Sequence, residues 1–421
     1  MLWQWGAAVL AWGREKEQAA SMGGAMGYSG GEREPLEIVI PALALVVVVC
    51  RERATARRFA ACHFSQEEMV EVEAESQAPA AFEAARLAIS HRLSAGLLTV
   101  ALIESDTSEL SAALARVAHH HDVSPVALAL GRGLSLARFP LSPRSYASAW
   151  ALATPAQWET ARVVRQPLAC DLRAECGPFA IIGDVHGCAD ELHDLLRALG
   201  YLAGDDGVWR HPEGRRAVFV GDLVDRGPGV IAVARLVMAM VAAGEAFCAP
   251  GNHDIKLMRA LEGRHVYVAH GLQESLDQIA ALPMDEREQF KRDFVAFIRQ
   301  IPPYLWLDGG ALVVAHAGLP ERYHGRISER VRTLAFYGET TGWEDEYGHP
   351  ERVDWAADYH GAAAVVYGHT PHRDAIWRNN TINVDTGCVH GGCLTAARWP
   401  EREIVSVNAR REYAHRAGGL R

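Results

Sequence analysis

The stretch Phe179–Leu192, FAIIGDVHGCADEL, decides how the second half of the chain folds. Four apolar residues read as a buried strand, and Gly183 ends it. Asp184 and His186 then follow, two apart, just past the strand's end. A carboxylate and an imidazole so placed suit a metal ion. One Asp-x-His pair is equally well explained as a turn, so the rest of the chain has to supply partners.

Five further apolar segments do so. AVFV runs into Gly221-Asp222-Leu223-Val224-Asp225-Arg226-Gly227. AFCAP runs into Gly251-Asn252-His253-Asp254. ALVVA runs into His316-Ala317-Gly318, AAVVY into Gly368-His369-Thr370, and TINV into Asp385-Thr386-Gly387. Six strands are therefore expected to deliver polar groups to their C-terminal ends, where α/β sheets build sites. Taken singly, these motifs are helix caps and polar turns. Their joint occurrence is not explained that way. Asp and His donors without thiolates suit Mn²⁺, Fe or Zn²⁺ at an open site. A bridging carboxylate such as Asp222 lets two ions sit roughly 3.5–4 Å apart, clamp a phosphate and acidify a water. Asn252 is a neutral donor that limits negative charge. Arg226 offers a fork for phosphate oxygens. His253 is placed to protonate a leaving oxygen, oriented by Asp225.

The ordered set GDVHG…GDLVDRG…GNHD…HAG…GHT resembles the binuclear metallophosphoesterases of the phosphoprotein phosphatase type, from Phe179 to about Val407. The resemblance implies a calcineurin-like β-sandwich flanked by helices, over residues 178–408. It implies that Asp184, His186 and Asp222 hold one metal, and that Asp222, Asn252, His316 and His369 hold the second. His253 would be the general acid with Asp225, Arg226 the phosphate ligand, and Asp385 a support behind the ligands. The ions would be two divalent cations, Mn²⁺ first, with Fe, Zn²⁺ or Ni²⁺ as alternatives. Ala317 stands where many members have Gly, a change of small expected effect. Flanking stretches, among them HPEGRRAVFVGDLVDRGP and NNTINVDTGCVHGG, look like the phosphatase module of bacterial polynucleotide kinase-phosphatases. That implies a phosphorylated RNA end or a nucleotide as substrate. Other relatives cleave diadenosine tetraphosphate or phosphoserine and phosphothreonine in proteins, and these are the alternatives.

The first half reads as a smaller parallel α/β domain, residues 36–166. Ile38–Cys50 is expected as its first strand, GLLTVALI and VSPVALAL as later ones, with helices over Ala80–Ser94 and Leu110–His121 between them. In the same family a P-loop kinase precedes the phosphatase. Here the loop after the first strand is CRERATAR, with Cys50 and Thr55 at the glycine positions and Ala56 at the lysine position. Without those residues it cannot cradle a nucleotide phosphate. The domain is therefore expected to be a degenerate kinase-like fold that binds no ATP. An irregular stretch follows from Pro140 to Gly177, with the linker proper at 167–177. Residues 1–35 are expected to be a disordered leader, and 409–421 a polar tail.

Forty-two basic against 52 acidic residues give a net charge of −10. That is no general nucleic-acid-binding surface, although a metal centre can supply positive charge locally. Eight cysteines without a C-x-x-C pair fit free thiols and a cytoplasmic location. No apolar run reaches the ~18–20 residues that span a bilayer, so no membrane partner is expected. A ligase activity, if one accompanies the chain, would come from a separate polypeptide. A non-enzymatic reading, an RNA-end scaffold left by decay, conflicts with the retention of every expected metal donor. His119-His120-His121 reads as a polar helix end. WEDEYGHPERVDW reads as a loop or lid near the metals.

Overall fold

The computed structural model describes residues 36–73, 78–104, 108–131, 145–348 and 350–416. The expected leader, residues 1–35, lies outside them.

Two strands stand where one was expected between Ile38 and Cys50: β1 (Glu37–Pro41) and β2 (Ala44–Cys50). Pro41 has no amide to carry a central ladder onward, so the run breaks there. β1 pairs in parallel with β7 (Arg162–Gln166). β2 enters a different sheet with β3 (Met69–Val72), β4 (Thr99–Ile103), β5 (Ser124–Leu130) and β6 (Ser148–Leu152). The order is β3-β4-β2-β5-β6, and every pairing is parallel. Helix α1 (Arg53–His63) covers one face; α2 (Pro79–Ser94) and α3 (Ser108–His120) cover the other. Val46 and Val48 pack with Phe59 and Ala60 of α1, while Val47 and Val49 pack with Ile89 of α2 and Leu114 of α3. This double cover is why ALVVVVC is apolar at every position rather than at every second one. The expected irregular stretch Pro140–Gly177 instead supplies β6, β7 and helix α4 (Pro155–Thr160), which Thr154 and Gln157 start with a capping box.

The second half begins with β8 (Phe179–Ile182) and α5 (Ala189–Leu199). A short hairpin, β9 (Leu202–Ala203) with β10 (Trp209–Arg210), leads to β11 (Arg216–Phe219), α6 (Val230–Ala242) and β12 (Ala246–Cys248). Helices α7 (Asn252–Leu261), α8 (Leu272–Ala280) and α9 (Met284–Gln300) follow, then β13 (Leu305–Leu307), β14 (Leu312–Val314) and α10 (Glu329–Tyr337). An exposed antiparallel pair, β15 (Thr340–Glu344) with β16 (Pro350–Arg352), precedes β17 (Ala364–Tyr367), β18 (Thr381–Asn383), β19 (Cys393–Trp399) and β20 (Ile404–Asn408). The strands form two sheets, β12-β11-β8-β19-β20 and β13-β14-β17-β18. Strand parity sorts the core. Phe179, Ile181, Val218, Val314 and Val366 fill the layer between the sheets, whereas Ala180, Ile182, Val313 and Val365 pack under the helices. β8, β11 and β12 run parallel, and so do β14, β17 and β18. Three C-terminal strand ends thus lie together in each sheet.

One arginine joins the two halves. Arg326 donates from Nη1 to the carbonyl of His121 at 2.6 Å and from Nη2 to those of Leu93 and Ser94, both at 2.9 Å. These carbonyls end α2 and follow α3, where helices leave acceptors unpaired and favour a cation. Ser328 Oγ donates to Asp122 at 2.7 Å and accepts from the Val331 amide at the start of α10. The histidine run is structural: His119 Nε2 lies 2.8 Å from the Ser145 carbonyl, and His121 Nε2 2.6 Å from Ser90 Oγ.

Arg326→Ala should cost about 1.5–3 kcal/mol of stability, the range for hydrogen bonds to a charged group. Thermal unfolding should show the loss, and limited proteolysis should cut earlier between the halves. An unchanged midpoint and cleavage pattern would show that the contact holds nothing together.

Candidate metal centre

All six apolar segments form strands, and each delivers its polar residues just beyond the last paired position. The backbone there is forced. His186, Asp222, Asp225, Arg226 and His369 have positive φ, at 43°, 48°, 72°, 69° and 76°. Non-glycine residues rarely adopt this conformation, and it gathers at functional sites. Two glycines are required for space. A Cβ on Gly251 would overlap the Asp222 carboxylate, and one on Gly368 would overlap that of Asp184.

The side chains converge. Asp222 Oδ2 lies 3.5 Å from His186 Nε2 and 3.4 Å from His316 Nε2. His316 Nε2 lies 2.9 Å from Asn252 Oδ1 and 3.0 Å from His369 Nδ1, which is itself 2.9 Å from Asn252 Oδ1. His186, Asp222 and His253 offer donor atoms within 4.8 Å of one another, and so do Asp222, His316 and His369. Asp222 belongs to both groups, as a bridging carboxylate must. Asp184 is buried in the same site, where its Oδ2 accepts from the His369 amide at 3.0 Å, but it falls outside the tightest groups. Asp385 is also buried beside it.

His253 and its supports form a chain. His253 Nδ1 lies 2.6 Å from Asp225 Oδ2, and Asp225 Oδ1 accepts from Ser275 Oγ at 2.6 Å. Ser275 Oγ also accepts from the Asp225 amide at 3.0 Å. Arg226 faces both rings, Nη1 at 2.7 Å from His186 Nε2 and Nη2 at 3.1 Å from His253 Nε2. A ring nitrogen has one lone pair, so a cation on His186 Nε2 requires Arg226 to give up that contact.

The electrostatics favour a cation. Burial, then the charges of Asp385 and Asp222, pushes the Asp184 carboxyl well up. Burial and the neighbouring Asp254 do the same to Asp222. Burial pushes His186 down, with Arg226 adding to it. It also lowers His253 to about 4 and His316 to about 3. Crowded carboxylates facing neutral imidazoles are what a divalent ion would stabilise. The donor set, nitrogen and oxygen without sulfur, fits that ion.

Three supports escaped the sequence reading. Asp254, fully buried with its carboxyl pushed up to about 7 by burial, accepts from the Leu223 amide at 3.0 Å and the Gly251 amide at 2.8 Å. It ties the Asp222 loop to the Asn252 loop. Ser275, on α8, is fifty residues from the aspartate it holds. Gln278 accepts from the Val230 amide and donates to the Gly227 carbonyl, both at 2.9 Å, and fixes the turn after Arg226. Only Asp254 lay inside a quoted motif. The segment read as a lid forms β15, β16 and the turn to Trp355, whose ring fills the space beside Gly318. His349 in that segment lies outside the described residues.

The chain matches the family model of the calcineurin-like phosphoesterases over residues 177–373. It is 45% identical over 227 residues to the bis(5′-nucleosyl)-tetraphosphatase PrpE [asymmetrical] of Geobacillus sp. (strain WCH70), covering 54% of this chain and 92% of that protein. Identity to the proteins of the same name is 46% over 227 residues in Geobacillus thermodenitrificans and 44% over 233 residues in Oceanobacillus iheyensis. These cover 54% and 55% of this chain, and 92% and 93% of those proteins.

Asp254→Ala should leave two buried amides unpaired, at about 1–3 kcal/mol each. Metal retention should fall about 10–100-fold, as when an outer support of a metal site is lost. Unfolding curves and metal content after dialysis would show both. Full metal retention would mean that the two loops hold their shape without the carboxylate.

Proposed function

The chain belongs to the calcineurin-like phosphoesterase family, and on that premise we propose that it hydrolyses bis(5′-nucleosyl) tetraphosphates asymmetrically at the Asp/His centre. The observation that carries the reading is the 45% identity to a tetraphosphatase of which the chain covers 92%. Under this reading Asp184, His186 and Asp222 hold one divalent ion, and Asp222, Asn252, His316 and His369 the other, with Mn²⁺ the first candidate. The ions supply Lewis acidity toward the phosphate and lower the pKa of a water.

The remaining roles fall to side chains. Arg226, freed from His186 Nε2, has a planar fork of donors for phosphate oxygens. His253 protonates the leaving oxygen from Nε2. Asp225 accepts from its Nδ1–H, fixes the tautomer and steadies the ring as it changes charge. Ser275 holds Asp225 in turn. Asp385 supports Asp184 from behind. RNA ends and phosphoproteins, the other substrates considered from sequence, remain the competing outcomes.

A second reading concerns the first half. Its expected inability to bind ATP is favoured by the ion pairs at the C-terminal ends of β3 and β4. Arg53, in the first turn of α1, lies 3.2 Å from Glu104, 3.8 Å from Glu71 and 3.8 Å from Glu73. Carboxylates therefore stand beside the loop where a nucleotide phosphate would need cations and bare amides.

The tests are direct. With Mn²⁺, diadenosine tetraphosphate should give ATP and AMP faster than RNA 3′-phosphate, cyclic phosphate or a phosphopeptide is cleaved. His253→Ala should cut that turnover by about 10²–10⁴ and keep its metal. Preference for an RNA end would replace the tetraphosphate reading, and metal loss in the variant would show that His253 is a ligand. Calorimetry with ATP should give no heat attributable to the first half; micromolar binding there would overturn the second reading.

A further inference from the structure

A second cluster of donors lies behind the Asp/His centre. Cys188 caps the start of α5, Glu191 sits in the first turn of that helix, and Cys388 follows the loop that carries Asp385. All three are buried, with exposures of 0%, 1% and 1%. One donor atom from each lies within 4.8 Å of the other two.

Glu191 is the informative member. Its Oε1 accepts from the Arg410 amide at 2.9 Å and from Tyr413 Oη at 2.7 Å. Its Oε2 is buried and has no hydrogen-bond partner among the described residues. A buried carboxylate oxygen left unpaired is costly. The Cys188 thiol has a long contact, 3.9 Å, to the His186 carbonyl and faces the Cys388 thiol. Two buried thiols and a buried carboxylate lie together, and none of them takes part in the proposed reaction.

We propose that Cys188, Glu191 and Cys388 form a structural metal site, distinct from the Asp/His centre, for a divalent cation of borderline softness such as Zn²⁺. Zn²⁺ accepts thiolate at about 2.3 Å and carboxylate at about 2.0–2.2 Å, which needs donors about 3.3–4 Å apart. Small side-chain adjustments bring these donors to that spacing. Binding sends the two thiol protons to solvent. Sulfur also sorts cations: hard ions such as Mn²⁺ prefer the nitrogen and oxygen centre, and softer ones the thiolates. A cation here adds a link to the loop after His186, whereas the loop after Asp385 and the C-terminal segment already bridge through His390 and Glu412. It ties the loop after His186 to the loop after Asp385, and both to the C-terminal segment through Tyr413.

The test uses the full chain, stripped with chelator, refilled with Mn²⁺ and titrated with Co²⁺. A thiolate-to-cobalt charge-transfer band in the near ultraviolet reports this cluster, because the Asp/His centre has no sulfur. The band should saturate at a single Co²⁺ per chain and vanish in both Cys188→Ser and Cys388→Ser. It should persist when the exposed Cys62 and Cys176 are replaced by Ser. Since a buried cysteine variant can misfold, Glu191→Gln, which keeps both thiols and the size, should weaken Co²⁺ binding by about tenfold or more. No band in the wild-type chain would overturn the proposal, as would a band surviving Cys188→Ser with Cys388→Ser. A mass two hydrogens lower would also overturn it, assigning the pair to a disulfide.

Discussion

Asp222 carries an electrostatic burden that the surrounding structure is arranged to bear. Its carboxylate is buried, faces both His186 and His316, and has Asp254, Asp225 and Asp184 for neighbours. Four carboxylates in so small a volume repel one another, and burial makes each charge harder to hold. The architecture answers with directed amides. His253 N donates to Asp222 Oδ1 at 3.0 Å, Leu223 and Gly251 donate to Asp254, and Gly387 donates to Asp385 Oδ1 at 3.0 Å. Backbone donors cost no side-chain entropy, and they are available because these residues sit beyond strand ends or, for His253, in the first turn of α7, where amides lack a ladder partner.

The same requirement explains the strained backbone. A strand that turned gradually would carry its first polar side chain away from the sheet edge. Positive φ at His186, Asp222, Asp225, Arg226 and His369 makes the turn within a residue or two. Such conformations cost of order 1–3 kcal/mol each and persist only where packing over-determines them. The packing is supplied from both sides: the inter-sheet layer holds Phe179, Ile181, Val314 and Val366, and the helical layer holds Ala180, Ile182, Val313 and Val365. A rigid double-layered base lets the loops above it be strained.

Legibility in the sequence followed range. The six strand ends were readable because strand, glycine and polar group lie within a few residues of each other. Convergence was readable only through their order. Asp254 was visible but unassigned, since a carboxylate beside His253 has no local sign of which amides it will accept. Ser275 and Gln278 were illegible: each acts on a loop about fifty residues away, and each sits in a helix where Ser and Gln are unremarkable. Pro41 lies inside the run expected as one strand and divides β1 from β2. Thr154 and Gln157 spelled a helix start that the irregular flanking composition obscured. Errors thus fell where tertiary partners decide, and in the first half, where no catalytic motif anchors the register.

The clamp between the halves recognises main chain. Among the described residues the Arg326 guanidinium hydrogen-bonds to carbonyl oxygens, those of Leu93, Ser94 and His121, with that of Arg322 at its own root. A carbonyl is the same whatever side chain accompanies it. Substitutions across that surface therefore leave the arginine's acceptors in place so long as two helices end there. Asp122, which accepts from Ser328, is the side chain of the first half on which this junction does depend.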